Sequence, residues 1–267
     1  MKKIRKTLIK NFKNWLIIKG KSEKTIIKYT GNIKRFLQKN PKKINKNSIN
    51  NFILELKKYH KNSTINTYIN ALNSFVNFLE KDIETPKILK TENKLPNYFS
   101  EKFLLEELIP DLEITKTRNV LKYKTIMYFL FYTGVRIQEL INLKREDINL
   151  EKKEALIKGK GDKERKVLFN KETKNLLEKY FSIEPEKHNA FNISYPALKC
   201  SIERLSKMYN KKFSPHTFRH SFAIHLLKKG FNIEMIRRLL GHSNIETTVK
   251  YLKATVDDIA EIYHKKI

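Results

Sequence analysis

The stretch LLGHSNIETTVKY, residues 239–251, places His242 directly after a glycine and Tyr251 nine residues further on, across a polar segment of helical character. Such a tyrosine is either a packing residue at a helix joint or a nucleophile. A phenol has a pKa of about 10, so the second role needs a base or strong local positive charge. Upstream, SPHTFRHSFAIHLL (214–227) has Ser214 to cap a helix and Pro215 for its first turn, with His216 and Arg219 three apart on one face. Backbone N–H groups and the dipole at a helix start favour an anion, so this pair suits a phosphate. The plainer reading is a solvated arginine beside a satisfied histidine. His216 and His220 also have the i, i+4 spacing of zinc proteases, but Thr217 stands next to His216 where those enzymes carry a general-base glutamate. Arg136, in TGVRIQEL, has Glu139 three residues on, the spacing of an ordinary ion pair. Lys160, in KGKGDKER, sits between two glycines, either in a soluble turn or as a mobile cation at a basic tip. The glycine spacing does not fit a GxxxxGK[ST] nucleotide loop.

These residues need a frame, and the hydropathy pattern predicts one. Leu8, Phe12, Trp15 and Leu16 form a helical stripe that stops at Gly20. Ser22 can cap a second helix striped by Ile26, Tyr29, Ile33, Phe36 and Leu37. Ile49, Phe52, Ile53 and Leu56 mark a third, and Ile65, Tyr68, Ile69, Leu72, Phe75, Val76 and Leu79 a fourth. Four amphipathic helices with short connections predict a bundle over 1–82. Residues 83–98, with Pro86 and Pro96 and no periodicity, read as a linker, leaving 99–267 as a second domain. There, Phe103, Leu104 and Leu108 suggest a short helix and Tyr123–Tyr132 an apolar one, before the glycine of TGVRIQELINL. EALIKGKGDKERKVLF (154–169) reads as a β-hairpin. Helices follow over 171–181, 195–209, 215–229, 232–240 and 244–252, and then a stripe of Val256, Ile259, Ala260 and Tyr263. The fold class is mainly α, with a small antiparallel hairpin in the second domain.

Composition restricts the partners. The formal net charge is +28, carried as 23 Lys/Arg against 6 Asp/Glu in residues 1–95 and 33 against 22 thereafter. An AT-rich genome explains much of the Lys and Asn, but not a twofold excess of basic over acidic residues. Nucleic acid is the leading polyanion, ahead of an anionic membrane surface. No apolar run approaches the roughly 18 residues that span a bilayer, and the basic N-terminus lacks a signal peptide's apolar core. A soluble, cytoplasmic protein is expected. With Cys200 alone, neither an intramolecular disulfide nor a multi-cysteine zinc site is possible.

Taken in order, TGVRIQEL, GKGDKER, PHTFRHSFAIHLL and LLGHSNIETTVKY resemble the tyrosine recombinase (phage integrase) family, most of all its Xer-type branch. Ser22, Thr25, Tyr29, Ile33 and Phe36 are similar to the SxxTxxxYxxxLxxF pattern of that family's core-binding domain. The resemblance implies a SAM-like helical core-binding domain over 1–82 and a catalytic domain of the DNA breaking-rejoining fold over 99–267. It also implies a role for each site residue. Tyr251 attacks a DNA phosphodiester and forms a 3′-phosphotyrosine. His216 is the candidate base. Arg136 and Arg219 clamp the non-bridging oxygens, Lys160 protonates the leaving oxygen and His242 donates a hydrogen bond to the phosphate. No metal and no cofactor are implied. Residues 206–213 (SKMYNKKF) lack the small-residue turn many relatives carry, which leaves that loop's geometry open.

The partners implied are a double-stranded recombination site and further copies of the chain, as a dimer per site and a tetramer in synapsis. Activation by an accessory division protein, and docking of the Val256–Tyr263 stripe on its own domain or on a neighbouring protomer, stay open. Two other readings compete: a type IB topoisomerase-like relaxing enzyme, and a DNA-binding relative that has lost catalysis. The intact set of six argues against the second.

Overall fold

The computed structural model describes residues 2–40, 44–91, 96–110, 119–159, 164–184, 189–241, 246–249 and 251–252. The chain divides into two compact units, Met1–Asn93 and Lys94–Ile267. The first contains helices α1 (Lys2–Ile18), α2 (Glu23–Lys39), α3 (Lys46–Lys57) and α4 (Asn62–Phe78). The predicted stripes are its core: Phe12, Leu16, Ile33, Phe36, Ile49, Ile65, Ile69 and Phe75 are fully buried. Ser22 caps α2 by accepting from the Thr25 N–H, as its position predicts. Part of the stretch read as a linker lies on this unit. Asn66 Nδ2 donates to the Leu89 carbonyl and its Oδ1 accepts from the Leu89 N–H, both at 2.8 Å.

The second unit is built around α6 (Val120–Thr133), buried on every side from Thr125 to Phe131. A helix that is apolar all round must be covered all round. The short α5 (Glu101–Phe103), continued by a wide turn at Leu104–Leu108, adds Phe103, Leu104 and Leu108 to the same core. Cover also comes from α8 (Lys171–Ile183), α9 (Tyr195–Met208) and α10 (Pro215–Lys228). After α6 the chain turns at Gly134 into α7 (Ile137–Asn142). Three antiparallel strands follow in the order β1 (Ile148–Asn149), β2 (Glu154–Lys158), β3 (Glu164–Leu168). The β2–β3 pair is the predicted hairpin, and β1 is an addition to it. In the β2–β3 register Ala155 faces Val167 and Ile157 faces Arg165, so Arg165 shares the inward face of its strand.

The turn between α9 and α10 closes without small residues. Asn210 takes the left-handed conformation (φ 46°), which asparagine tolerates. Ser206 Oγ donates to the Lys211 carbonyl at 2.6 Å and accepts from the Phe213 N–H at 3.1 Å. Helix α11 (Ile233–Leu240) ends at Gly241 and is followed by the short α12 (Glu246–Val249).

Candidate active site

Four segments of the second unit converge on one cluster. The first is the turn from α6 to α7. Gly134 ends α6 with φ 60°, and a Cβ there would lie 2.3 Å from the ring of Phe222 on α10. Both the left-handed backbone and the close approach require glycine. The turn delivers Arg136 to the head of α7, where its backbone N–H and Nη1 each donate to Glu139 at 2.8 Å.

Glu139 is 8% exposed and does not bind Arg136 alone. Arg165, from β3, donates Nη1 and Nη2 to the two carboxylate oxygens at 3.0 and 2.8 Å. Burial by itself raises the carboxyl pKa. Hydrogen bonds from Arg165 and the Arg136 backbone, with the Arg165 charge, outweigh it and hold the group at about 2. Arg165 Nε reaches the Leu239 carbonyl at 3.2 Å. Its stem passes so near Gly241 that a Cβ there would meet Arg165 Cδ at 2.8 Å. One arginine thus ties the sheet, α7 and the end of α11 together.

Arg219, on α10, is 3% exposed. Its Nη1 donates to the Gly134 carbonyl at 2.7 Å and its Nη2 to the Leu240 carbonyl at 2.5 Å. Burial lowers its pKa, assisted by the charges of Arg136 and Arg165, to about 9, so it stays a cation at neutral pH.

Tyr251 packs against Phe222, Ala223, Ile224, Ile236 and Leu240 and is 1% exposed. Burial raises its phenol to about 12, against the opposing pull of Arg219 and Arg136. Its Oη lies 2.8 Å from His220 Nδ1. His216, one turn earlier on α10, is exposed, its ring stacked 6.3 Å from that of His220. Of the six residues singled out in the sequence, Arg136, Arg219 and Tyr251 are thus brought within electrostatic reach of one another, and His216 adjoins them through His220. Lys160 and His242 lie outside the described residues, as do Val256, Ile259, Ala260 and Tyr263. Among the described residues no group of three His, Cys, Asp or Glu could hold a metal ion. No helix among them is long and apolar enough to cross a membrane.

The sequence pattern of the phage integrase family matches residues 102–257, and that of its N-terminal SAM-like domain matches residues 8–85. The chain belongs to the phage integrase family.

Within that family its relatives include tyrosine recombinase XerA of Pyrococcus horikoshii. The two are 28% identical over 270 residues, which cover 97% of this chain and 93% of the relative. Tyrosine recombinase XerC of Pediococcus pentosaceus is 31% identical over 295 residues, covering 97% of both chains. A crystal structure of XerA recombinase aligns over 97% of this chain and 98% of its own, at 28% identity and a TM-score of 0.54. The fold is also that of the XerH recombinase bound to palindromic difH substrate in a post-cleavage complex, at 20% identity and a TM-score of 0.75. That match covers 89% of this chain and 78% of the other.

Sequence reasoning did not single out two members of the cluster. Arg165 was hidden in the charged run DKERK, although its i, i+2 relation to Val167 placed it on the inner strand face. His220 stands out in the sequence only by its i, i+4 spacing from His216. It shares a helix face with His216, but its hydrogen bond to a tyrosine 31 residues away needed the fold to become visible.

Proposed function

We propose that this chain is a site-specific DNA recombinase of Xer type that cuts and reseals strands through a 3′-phosphotyrosine on Tyr251. The observation that carries this reading is a buried phenol within electrostatic reach of two guanidiniums that are themselves fixed, Arg136 by Glu139 and Arg219 by two backbone carbonyls. Planar guanidiniums suit the oxygens of a phosphodiester and stabilise the charge of its pentacoordinate transition state. In this reading Arg136 and Arg219 clamp the non-bridging oxygens, His242 donates to the phosphate, His216 is the candidate base and Lys160 protonates the leaving 5′ oxygen. The phosphodiester energy is kept in the phosphotyrosine, from which a 5′-hydroxyl of another strand can reseal the backbone. This ascribes no step to a metal or a nucleotide.

The domains follow the same reading. Residues 1–82 form the core-binding domain, 83–98 the connection and 99–267 the catalytic domain. The strong basic excess of residues 1–95 supports a phosphate-contacting role for the first unit. The protein works in the cytoplasm, on the nucleoid. Two copies bind one site and four assemble in synapsis, with an accessory division protein as a further partner if the role is resolution of chromosome dimers. Integration of a mobile element is served by the same chemistry.

The test is covalent capture. Nicked duplexes randomised around the nick are incubated with the protein without metal, and denaturation-resistant adducts are selected and sequenced. Wild type should yield a 3′-phosphotyrosyl adduct and Tyr251→Phe none. Adduct formation by Tyr251→Phe overturns the assignment. Strand exchange between two copies of the selected site then separates a recombinase from an enzyme that only relaxes supercoils.

A further inference from the structure

The attacking phenol must give up its proton, and the geometry names an acceptor other than the one expected from sequence. Tyr251 is almost fully buried, which leaves bulk water little access to it. Its Oη is instead within hydrogen-bond distance of His220 Nδ1, at 2.8 Å with ring centroids 5.5 Å apart. That is the distance a general base needs. His216 lies one turn closer to the start of α10 and is exposed, whereas His220 is half-buried between it and the tyrosine. With the phenol held near 12, a preformed phenolate is rare at neutral pH. The proton therefore has to leave as the oxygen attacks.

We propose that His220 is the general base for Tyr251, leaving His216 to the phosphate. This rests on the function proposed above. As the Oη–P bond forms and the P–O5′ bond breaks, the phenolic proton passes to His220 Nδ1, and the leaving oxygen takes a proton from the Lys160 ammonium. The products are a neutral 5′-hydroxyl, a phosphotyrosine diester, an imidazolium and a neutral amine. Resealing runs the same transfers backwards. The 5′-hydroxyl gives its proton to Lys160, and His220 returns its own to the departing phenolate. The scheme requires the His220 tautomer that carries its proton on Nε2, so that Nδ1 accepts from the phenol.

The experiment uses the duplex selected above and reads single-turnover adduct formation. His220→Asn can keep a hydrogen-bonding atom near the place of Nδ1 but cannot take a proton. His220→Ala removes both and leaves room for free imidazole. Loss of a general base should slow both variants by about 100-fold or more. Added imidazole should restore at least a tenfold part of the His220→Ala loss and leave wild type and Tyr251→Phe unchanged. Calorimetric melting checks that both variants are folded. His220→Asn at close to the wild-type rate would mean that the histidine only positions the phenol, and would overturn the proposal. So would a His220→Ala loss that imidazole leaves untouched. Absence of any adduct with wild type would instead sink the proposed function itself.

Discussion

Replacing Glu139 by glutamine should test the electrostatic frame of the site. Its carboxylate accepts hydrogen bonds from Arg136 N and Nη1 and from Arg165 Nη1 and Nη2. The amide removes the charge and turns one acceptor into a donor facing guanidinium donors. The carboxyl stands at about 2 against an ordinary value of 4.5. That difference is worth about 3 kcal/mol of folding stability at neutral pH. For a unit of this size the melting temperature should fall by about 6–12 °C in Glu139→Gln. The pH dependence has a definite sign. Because the folded pKa lies below the unfolded one, the contribution is complete above about pH 4.5 and is lost as the pH falls towards 2. The gap between wild type and variant should therefore narrow on acidification. Differential scanning calorimetry of the full chain from neutral to acid pH measures both effects. A shift under about 2 °C at neutral pH, or a gap unchanged in acid, would refute the reasoning.

Three further outcomes are expected. Gly134→Ala places a Cβ 2.3 Å from the Phe222 ring on a left-handed backbone. It should cost about 2–4 kcal/mol by denaturant unfolding, with partial recovery when Phe222→Leu is added. Arg219→Lys cannot reach the Gly134 and Leu240 carbonyls together, so the same assay should show a loss of about 1–3 kcal/mol from the carbonyl left unpaired. The ultraviolet difference spectrum of wild type minus Tyr251→Phe should show phenolate only as the pH approaches about 12, and its appearance near 10 would contradict the burial of that phenol.

Much of the fold was legible because its information is local. Leu8, Phe12 and Leu16 recur at helical spacing and pack into one core, Leu8 at its edge. Ala155 and Ile157 alternate into the core as a hairpin strand should. Strand β1 was not legible, since two residues cannot display an alternation. Arg136, Arg219 and Tyr251 stand out through motif order, and the cluster gathers all three. Arg165 and His220 were missed for a common reason. A charged residue in a charged run, and a histidine on a histidine-rich helix, look solvated or merely packed until the register of β3 and the return of the chain at Tyr251 supply their partners. Residues 83–91 were polar and aperiodic enough to read as a linker, yet the two Asn66–Leu89 hydrogen bonds fasten part of them to α4. Side-chain bonds to backbone leave no periodic trace.

The grip of Arg219 on two backbone carbonyls has a consequence for selectivity. An arginine side chain has about 2 kcal/mol of rotamer entropy to lose, and here folding has already removed it. In the function proposed above, a phosphate that reaches this guanidinium meets a donor already in place, so none of that ordering cost opposes binding. The same rigidity makes the cradle indifferent to sequence, because every step of a duplex presents the same phosphate. On that reading, discrimination between one DNA site and another comes from surfaces that contact the bases or bend the helix.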